Sequence, residues 1–411
     1  MDEENKGPLS GVVVLELAHV MAGPTCGRIL ADLGASVIKL ERLEGEDCRR
    51  MAPPWQGDEA AGFLMLNRNK KGIAVNLKTP GGLRVLFDLV AKSDVLIENF
   101  RKGALEKLGA DYDSLKGVNP GLIFCEISGF GRTGPYAERG GFDLVAQAMS
   151  GVLSVTGEGE GRPPVKAGVP VADIGAGMFA AIGVLAALNQ RNVTGRGQRV
   201  DTSLFEAAAA FMTWPAAMHF AGAEPAVPMG TAHPLDAPYQ AFEASDGWFI
   251  VGAANQANWL RLVSAINAPH LLEDARFTDN PARVANLEAL VESLSAIFID
   301  QPKSHWIDLL EKAGVPTGPI NSVAEMIADP QIRARGMVTS TVHKTLGEVD
   351  TLNTPLHFSD SETTVRAPAP VLGEHTNDIL GALGYDKARI NELEKSGAIL
   401  ADKEQSIVAA E

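Results

Sequence analysis

Two short runs rich in branched aliphatic residues, Val12–Leu17 and Ser36–Glu41, bracket an amphipathic stretch, Thr25–Leu33, that Gly34 stops. Runs of that kind read as parallel strands covered on both faces. A strand–helix–strand succession at this spacing closes as a right-handed βαβ unit, which commits the chain to an α/β, Rossmann-like parallel sheet. The pattern then recurs. GIAVNL, DVLIENF and LIFCEISGFG read as further strands, with Gly81–Ala91 as a helix between the first two. The turn TGRGQ leads into another strand, Gln198–Thr202, and an Ala-rich helix.

Character changes near Pro215, where residues 215–240 become rich in Pro, Ala and Gly and read as a linker with irregular loops. Beyond it GWFIVGAAN reads as a strand, and NWLRLVSAI, RVANLEALVESLSAIF and SHWIDLLEKAG as short helices. The expected organisation is a large domain whose N-terminal part is residues 1–215, a linker and smaller α+β domain over 216–335, and a C-terminal part, 336–411, that returns to the large domain. That last part carries a strand near Met337–Val342 and the segment APVLGEHTNDILGALGY.

Composition excludes several classes. The net charge of −15 has no basic stripe to offset it, which argues against nucleic-acid and membrane-surface partners. Cys26, Cys48 and Cys125 lie far apart in sequence with no histidine at ligand spacing, so no structural zinc site is expected and a reducing compartment suits them. The first residues, MDEENKGPLS, are acidic and polar, unlike a signal or mitochondrial transit peptide, and the expected location is cytoplasmic.

The run AGVPVADIGAGMFAAIGVLAALN, from Ala167, holds one ionisable residue, Asp173. Ile174, Met178, Ala181, Ile182, Leu185 and Leu188 have helical spacing, which puts Asp173 at or near a helix N-terminus. There the free N–H groups and the helix dipole would hold the anion without a counter-charge. Two readings follow: a plain N-cap, or a partly desolvated nucleophile with Gly175 and Gly177 letting a ligand approach the backbone. The apolar run is expected to be too short, and too rich in Gly and Ala, to cross a bilayer core of ~30 Å.

Other motifs are weaker. GFGRTG (129–134) follows a strand and satisfies GxGxxG, but Pro135 and YAERGG do not open a helix, and the first βα turn, AHVMAGP, lacks the fingerprint glycines. Arg42 closes the second strand, where such folds meet an adenosine ribose, and an arginine there suits a ribose phosphate such as that of coenzyme A. Lys70, Lys71 and Lys78 add local positive charge. His19 and His233 read as structural hydrogen-bonders, and no GxSxG or HExxH is present.

The segments LSGVVVLELAHVMAGP, LADLGASVIKLERLEGED, LNRNKKGIAVNLKTPGG, DVLIENFRKGALEKLG, ISGFGRTGPYAERGGFDLVAQAMSG, VADIGAGMFAAIGVLAAL and RNVTGRGQRVDTSL together resemble the class III CoA-transferases, the superfamily of formyl-CoA transferase, carnitine CoA-transferase and the alpha-methylacyl-CoA racemases. The resemblance continues more weakly through LGEHTNDIL and spans nearly the whole chain. It implies a large Rossmann-like domain built from both chain ends, a smaller domain from the middle, and an interlocked homodimer. It also implies an enzyme that moves coenzyme A from an acyl-CoA donor to a carboxylate acceptor, with CoA esters as substrates, no permanently bound cofactor and no metal. Asp173 matches the family's nucleophile. Val20, Met21, Ala22, Arg42, Val75, Lys78, Asn99, Phe100, Lys107 and, with a looser alignment, Arg139 match its coenzyme contacts. Lys107 stands where relatives carry arginine.

Two departures narrow the activity. Racemases of the superfamily carry histidine in a GHD triplet, and here that triplet is Gly141, Phe142, Asp143, so a proton shuttle is missing. The glycine run that closes over the intermediate in formyl-CoA transferase has no counterpart around residues 228–240. The favoured expectation is CoA transfer through covalent aspartyl intermediates, with acyl-CoA racemisation or isomerisation, or a dinucleotide-binding oxidoreductase, as the alternatives. N–H groups near Gly175 or in the Gly129–Gly134 loop are the oxyanion candidates. Neither acid partner is legible.

Overall fold

In the computed structural model, which describes residues 7–401, the first βαβ unit forms from β1 (Val13–Glu16), α1 (Ala22–Asp32) and β2 (Ser36–Glu41). β1 and β2 pair in parallel, from Val13 opposite Ser36 to Glu16 opposite Lys39. The neighbours Val14 and Leu15 point to opposite faces and both are fully buried, as a strand covered on two sides requires. Helix α1 starts at Ala22 rather than Thr25, because Pro24 is tolerated in a first turn whose N–H groups have no partner within the helix.

Strands β3 (Lys70–Val75), β4 (Val95–Glu98), β5 (Ile123–Ser128) and β6 (Arg199–Ser203) extend the sheet, and β7 (Ile399–Leu400) adds at one edge. The order is β7-β3-β2-β1-β4-β5-β6, with every neighbouring pair parallel except β7 on β3. The chain therefore winds outward from β1 through β2 and β3, then returns to the other side of β1 as β4. The expected Rossmann-like α/β sheet is present, and its winding reverses between β1 and β4.

Helices α2 (Pro80–Val90), α3 (Asp143–Met149), α4 (Val171–Thr194) and α5 (Leu204–Phe211) join α1 around this sheet. On one face Val14, Ile97 and Cys125 pack with Cys26, Leu30, Ala176 and Val184 from α1 and α4. On the other, Leu15, Ile73, Leu96 and Phe124 pack with Val85 and Leu86 of α2 and with Ile379 and Leu393 from the C-terminal helices Thr376–Ala382 and Lys387–Lys395. Cys26 and Cys125, remote in sequence, meet in this core. The Cys125 side chain and burial hold the Cys26 thiol well above its usual range.

One expectation about α4 is corrected. The apolar run lies within a helix of 24 residues, ending at a left-handed cap at Gly195, that is long and apolar enough to cross a membrane by length and composition. Half of its most apolar window is buried inside the protein. Asn189, Gln190 and Arg191 extend it because they fall on its half-buried or exposed side, where polar residues continue a helix at no cost.

By internal packing the residues form two units. The first takes the chain up to Val152, then Ala167–Ala216, then the chain from Gln331; the second takes Leu153–Lys166 with Ala217–Pro330. The second unit holds an antiparallel sheet of Tyr239–Ala244, Gly247–Gly252 and Thr317–Pro319. Its core is aromatic: Phe242, Phe249, Trp259, Phe277, Phe298 and Trp306. In the first unit the strand near Met337 is Val338–His343, which pairs with Gly347–Leu352 as a separate two-stranded hairpin.

Candidate active site

In an open α/β sheet the ligand crevice forms outside the carboxyl ends of the strands, where the winding reverses. Here that is the gap between the segment after β1 and the segment after β4. Asn99, just past β4, ties the two together: its Oδ1 accepts the His19 N–H at 2.8 Å and its Nδ2 donates to the His19 carbonyl at 2.9 Å. The His19 ring packs edge-on against Phe100, centroids 5.0 Å apart, and burial lowers its pKa. Phe100 is fixed from behind. Its N–H donates to Glu98 Oε2 at 2.7 Å, and its carbonyl accepts from Arg132 Nη1 at 3.0 Å. Arg132 also pairs with the carboxylates of Glu98 and Glu126. Burial pushes the Glu98 carboxyl up to about 7.

GFGRTG is thereby explained without a dinucleotide. Its arginine turns inward to hold Phe100. Its first glycine abuts Gly141, whose Cα would lie 2.6 Å from a Cβ added at position 129.

The fold gathers most of the sequence-predicted residues along this edge. Val20 and Met21 lie between β1 and α1 and Ala22 opens α1, with Val20 in the left-handed region at φ +62°. Arg42 follows β2, and Val75 ends β3 with Lys78 exposed in the segment beyond. Asn99 and Phe100 follow β4. Lys107 is exposed on the short turn Glu106–Leu108, and Arg139 lies beyond β5, stacked over Tyr136 at 4.0 Å. Two of these are engaged within the fold, and so is Lys70, which reads in sequence, with Lys71 and Lys78, as local positive charge. The Val75 side chain is buried in the core, leaving only its backbone to meet a ligand. Arg42 is engaged by its own loop, bonded to the Asp47 carboxylate and donating to the Gly45 carbonyl at 2.7 Å. Lys70 is no surface charge: it is buried, 2.8 Å from Glu16.

Asp173 is the third helical residue of α4, whose preceding residue, Pro170, offers no side-chain cap. The cap comes from α3. Asp143 Oδ1 accepts the N–H groups of Ala172 at 2.8 Å and Asp173 at 3.3 Å, while its Oδ2 accepts from Gln147 Nε2 at 2.6 Å. The expectation that Asp173 itself caps α4, held by free N–H groups, is corrected: a second carboxylate occupies those donors. Asp173 is left half-buried beside a like charge. Burial, then repulsion from Asp143, push its carboxyl from 3.8 up to about 6. A group titrating there is about nine-tenths ionised at pH 7 yet more basic than an ordinary aspartate.

The two glycines of the run also have a different role. A Cβ at Gly175 would lie 2.6 Å from the Phe211 ring, and one at Gly177 would lie 2.6 Å from the Ala22 carbonyl. They allow close packing of α4 on its neighbours rather than ligand approach. The Gly177 contact sets the first turns of α4 against the start of α1, and Asp173 lies one turn (~6 Å) before Gly177. Asp143 stands outside the residues that sequence pattern singles out for the site. Its signal was an acidic residue opening the helical run DLVAQAM.

Comparison with known proteins finds relatives along most of the chain. The family model described as CoA-transferase family III matches residues 9–376. The chain is 39% identical to the succinyl-CoA:glutarate CoA-transferase of Mus musculus, across 97% of this chain and 92% of that one. It is likewise 39% identical to the succinate–glutarate CoA-transferase of Agrobacterium fabrum, across 92% and 96%. Among solved structures, a CAIB/BAIF family protein from Brucella suis superposes with a TM-score of 0.84 at 42% identity, covering 92% of this chain and all of that one.

Proposed function

We propose, from the premise that this chain belongs to CoA-transferase family III, that its transfer of coenzyme A from an acyl-CoA thioester to a carboxylic acid runs through covalent intermediates on Asp173. The observation that carries this reading is the state of Asp173: half-buried, with no cationic partner among the described residues, and raised to about 6 by burial and Asp143. A carboxylate so placed is ionised at neutral pH and poorly solvated, the condition of an activated nucleophile.

The steps balance without a metal or prosthetic group. An Asp173 oxygen attacks the thioester carbonyl, the C–S bond breaks, and a mixed anhydride and CoA thiolate form. The thiolate attacks the aspartyl carbonyl, releasing the first acid and leaving an aspartyl thioester. The incoming carboxylate attacks that thioester and expels the thiolate again. Thiolate attack on the new acyl carbonyl then yields product and free Asp173. Each step exchanges one activated carboxyl for another, so no single barrier carries the whole exchange.

The crevice residues Val20, Met21, Ala22, Asn99 and Phe100, with Arg42, Lys78, Lys107 and Arg139 as cations at its outer parts, are our candidates for holding the coenzyme. For the acids we propose a dicarboxylate pair, succinyl-CoA as donor and a C5 dicarboxylate as acceptor, by analogy with the mouse and Agrobacterium relatives. We further propose self-association as a homodimer. Met178, Phe179 and Ile182 on α4, with Leu144, Val145 and Met149 on α3, leave an exposed apolar surface of the kind that a second copy covers.

The test is interception. Succinyl-CoA without acceptor, followed by hydroxylamine, leaves a hydroxamate on the peptide bearing Asp173, and Asp173→Ala abolishes both the label and transfer. A label on Cys26, Cys48 or Cys125, or transfer surviving in Asp173→Ala, refutes the covalent-aspartate mechanism. A panel of acceptors from formate and oxalate to glutarate, with products separated by mass, decides the acid pair.

A further inference from the structure

Beneath the segment that follows β1 lies a chain of four buried charges that the transfer chemistry does not use. Lys39 Nζ, on β2, is 2.8 Å from Glu46 Oε1 and 3.1 Å from Glu16 Oε1, and donates to the Ala18 carbonyl at 3.0 Å. Lys70 Nζ, on β3, is 2.8 Å from Glu16 Oε2 and donates to the Pro24 carbonyl at 3.1 Å and to Asn67 Oδ1 at 2.9 Å. All four charged side chains are at most 1% exposed. Two cations and two anions leave the group neutral, but buried ion pairs seldom stabilise a fold more than apolar residues of the same volume would. What this one does is reach backbone. Its members bond to Ala18, Val20 and Pro24, on both sides of the segment predicted to meet the coenzyme.

The bond to Val20 is the most telling. Glu46 Oε2 accepts the Val20 N–H at 2.6 Å. Val20 is β-branched, yet its φ is +62°, a left-handed conformation that such residues rarely adopt and that persists only where the surroundings enforce it. Burial would raise the Glu46 carboxyl, but Lys39 and the Val20 N–H outweigh it and hold the group below its ordinary range, so the acceptor is a full anion. Charge-assisted bonds of this kind are roughly twice as strong as neutral ones.

We propose that Glu46, anchored by Lys39, is a positioning residue for the coenzyme: it holds Val20 in its left-handed conformation and so keeps the Val20–Ala22 segment in the shape that receives the CoA ester. This rests on the reading that Val20–Ala22 line the coenzyme crevice. Glu46 acts from one side, Asn99 fixes His19 from the other, and the segment is ordered before any ligand arrives. A pre-ordered segment loses less conformational freedom on binding, which is where the affinity comes from.

Calorimetric titration of the full-length protein with free coenzyme A tests this. Glu46→Gln removes the charge. Glu46→Asp keeps the charge but withdraws the carboxylate from the Val20 N–H by one methylene, and it carries the test if the first variant does not fold. The Kd for coenzyme A rises about tenfold or more in each, the range for a lost bond to a charged group. The KM for the CoA ester rises in step, while kcat and the acceptor KM stay within about threefold. Leu115→Ala, which opens a cavity in the opposite core cluster, lowers stability and leaves the Kd unmoved. In the wild type, the Val20 amide exchanges with solvent deuterium as slowly as the amides of α1. Folded Glu46 variants with wild-type Kd, a Leu115→Ala variant whose Kd rises equally, or a rapidly exchanging Val20 amide each overturn the proposal. A wild type that binds no coenzyme A overturns instead the functional reading on which it rests.

Discussion

Replacing Asp173 by asparagine keeps the shape of the side chain and removes its charge, and the structure says that the folded state resists that charge. The carboxyl rises from 3.8 to about 6 on folding, through burial first and the Asp143 carboxylate second. At about 1.4 kcal/mol per pH unit of displacement, the charged form is disfavoured by about 3 kcal/mol, with the half-buried setting letting water screen part of that. The expected gain at pH 7.5 is therefore about 1–2 kcal/mol, a rise in Tm of a few degrees. Between about pH 4 and 6 the folded protein binds the proton that the unfolded chain has lost, so the cost is full above pH 6 and is relieved as pH falls. Asp173→Asn is accordingly inactive yet more stable than the wild type at pH 7.5, and its advantage shrinks below about 1 kcal/mol at pH 4. Scanning calorimetry of both proteins at the two pH values measures this. An asparagine variant less stable than the wild type at pH 7.5 would show that Asp173 makes a bond the fold needs. An advantage that persists undiminished at pH 4 would show that desolvation of a carboxylate is not its source.

Two further outcomes follow from the same site. Asp143→Asn removes the like charge while keeping an oxygen for the Ala172 and Asp173 N–H groups, so the acid limb of kcat/KM, set near pH 6 by Asp173, moves to lower pH; a limb that stays in place assigns it to another group. Arg42→Ala raises the KM for CoA esters on the order of tenfold with little change in kcat, and Asp47→Ala, which frees Arg42 from its carboxylate partner, leaves that KM equal or lower; an unchanged KM in Arg42→Ala makes Arg42 a loop tie and nothing more.

Much of this was legible along the chain. The βαβ unit, the helix after Pro170 and the carboxylate near its start follow from apolar spacing and from the turn chemistry of Gly and Pro, which depend on neighbours a few residues away. The edge residues Val20, Arg42, Asn99 and Phe100 were nameable by resemblance, and the winding of the sheet explains why they converge.

What lay outside the sequence depends on contacts between distant segments. Nothing local marks Asp143 as the cap of a helix that begins 28 residues later, or separates Lys70, buried against Glu16, from the exposed Lys71 beside it. Pattern alone reads Gly175 and Gly177 as openings for a ligand, whereas packing against Phe211 and Ala22 makes them contact points between helices. Periodicity reports which side of an element is buried. Which charge then meets which, and which pKa moves, is decided by strand order and register, and those exist only once the chain has folded.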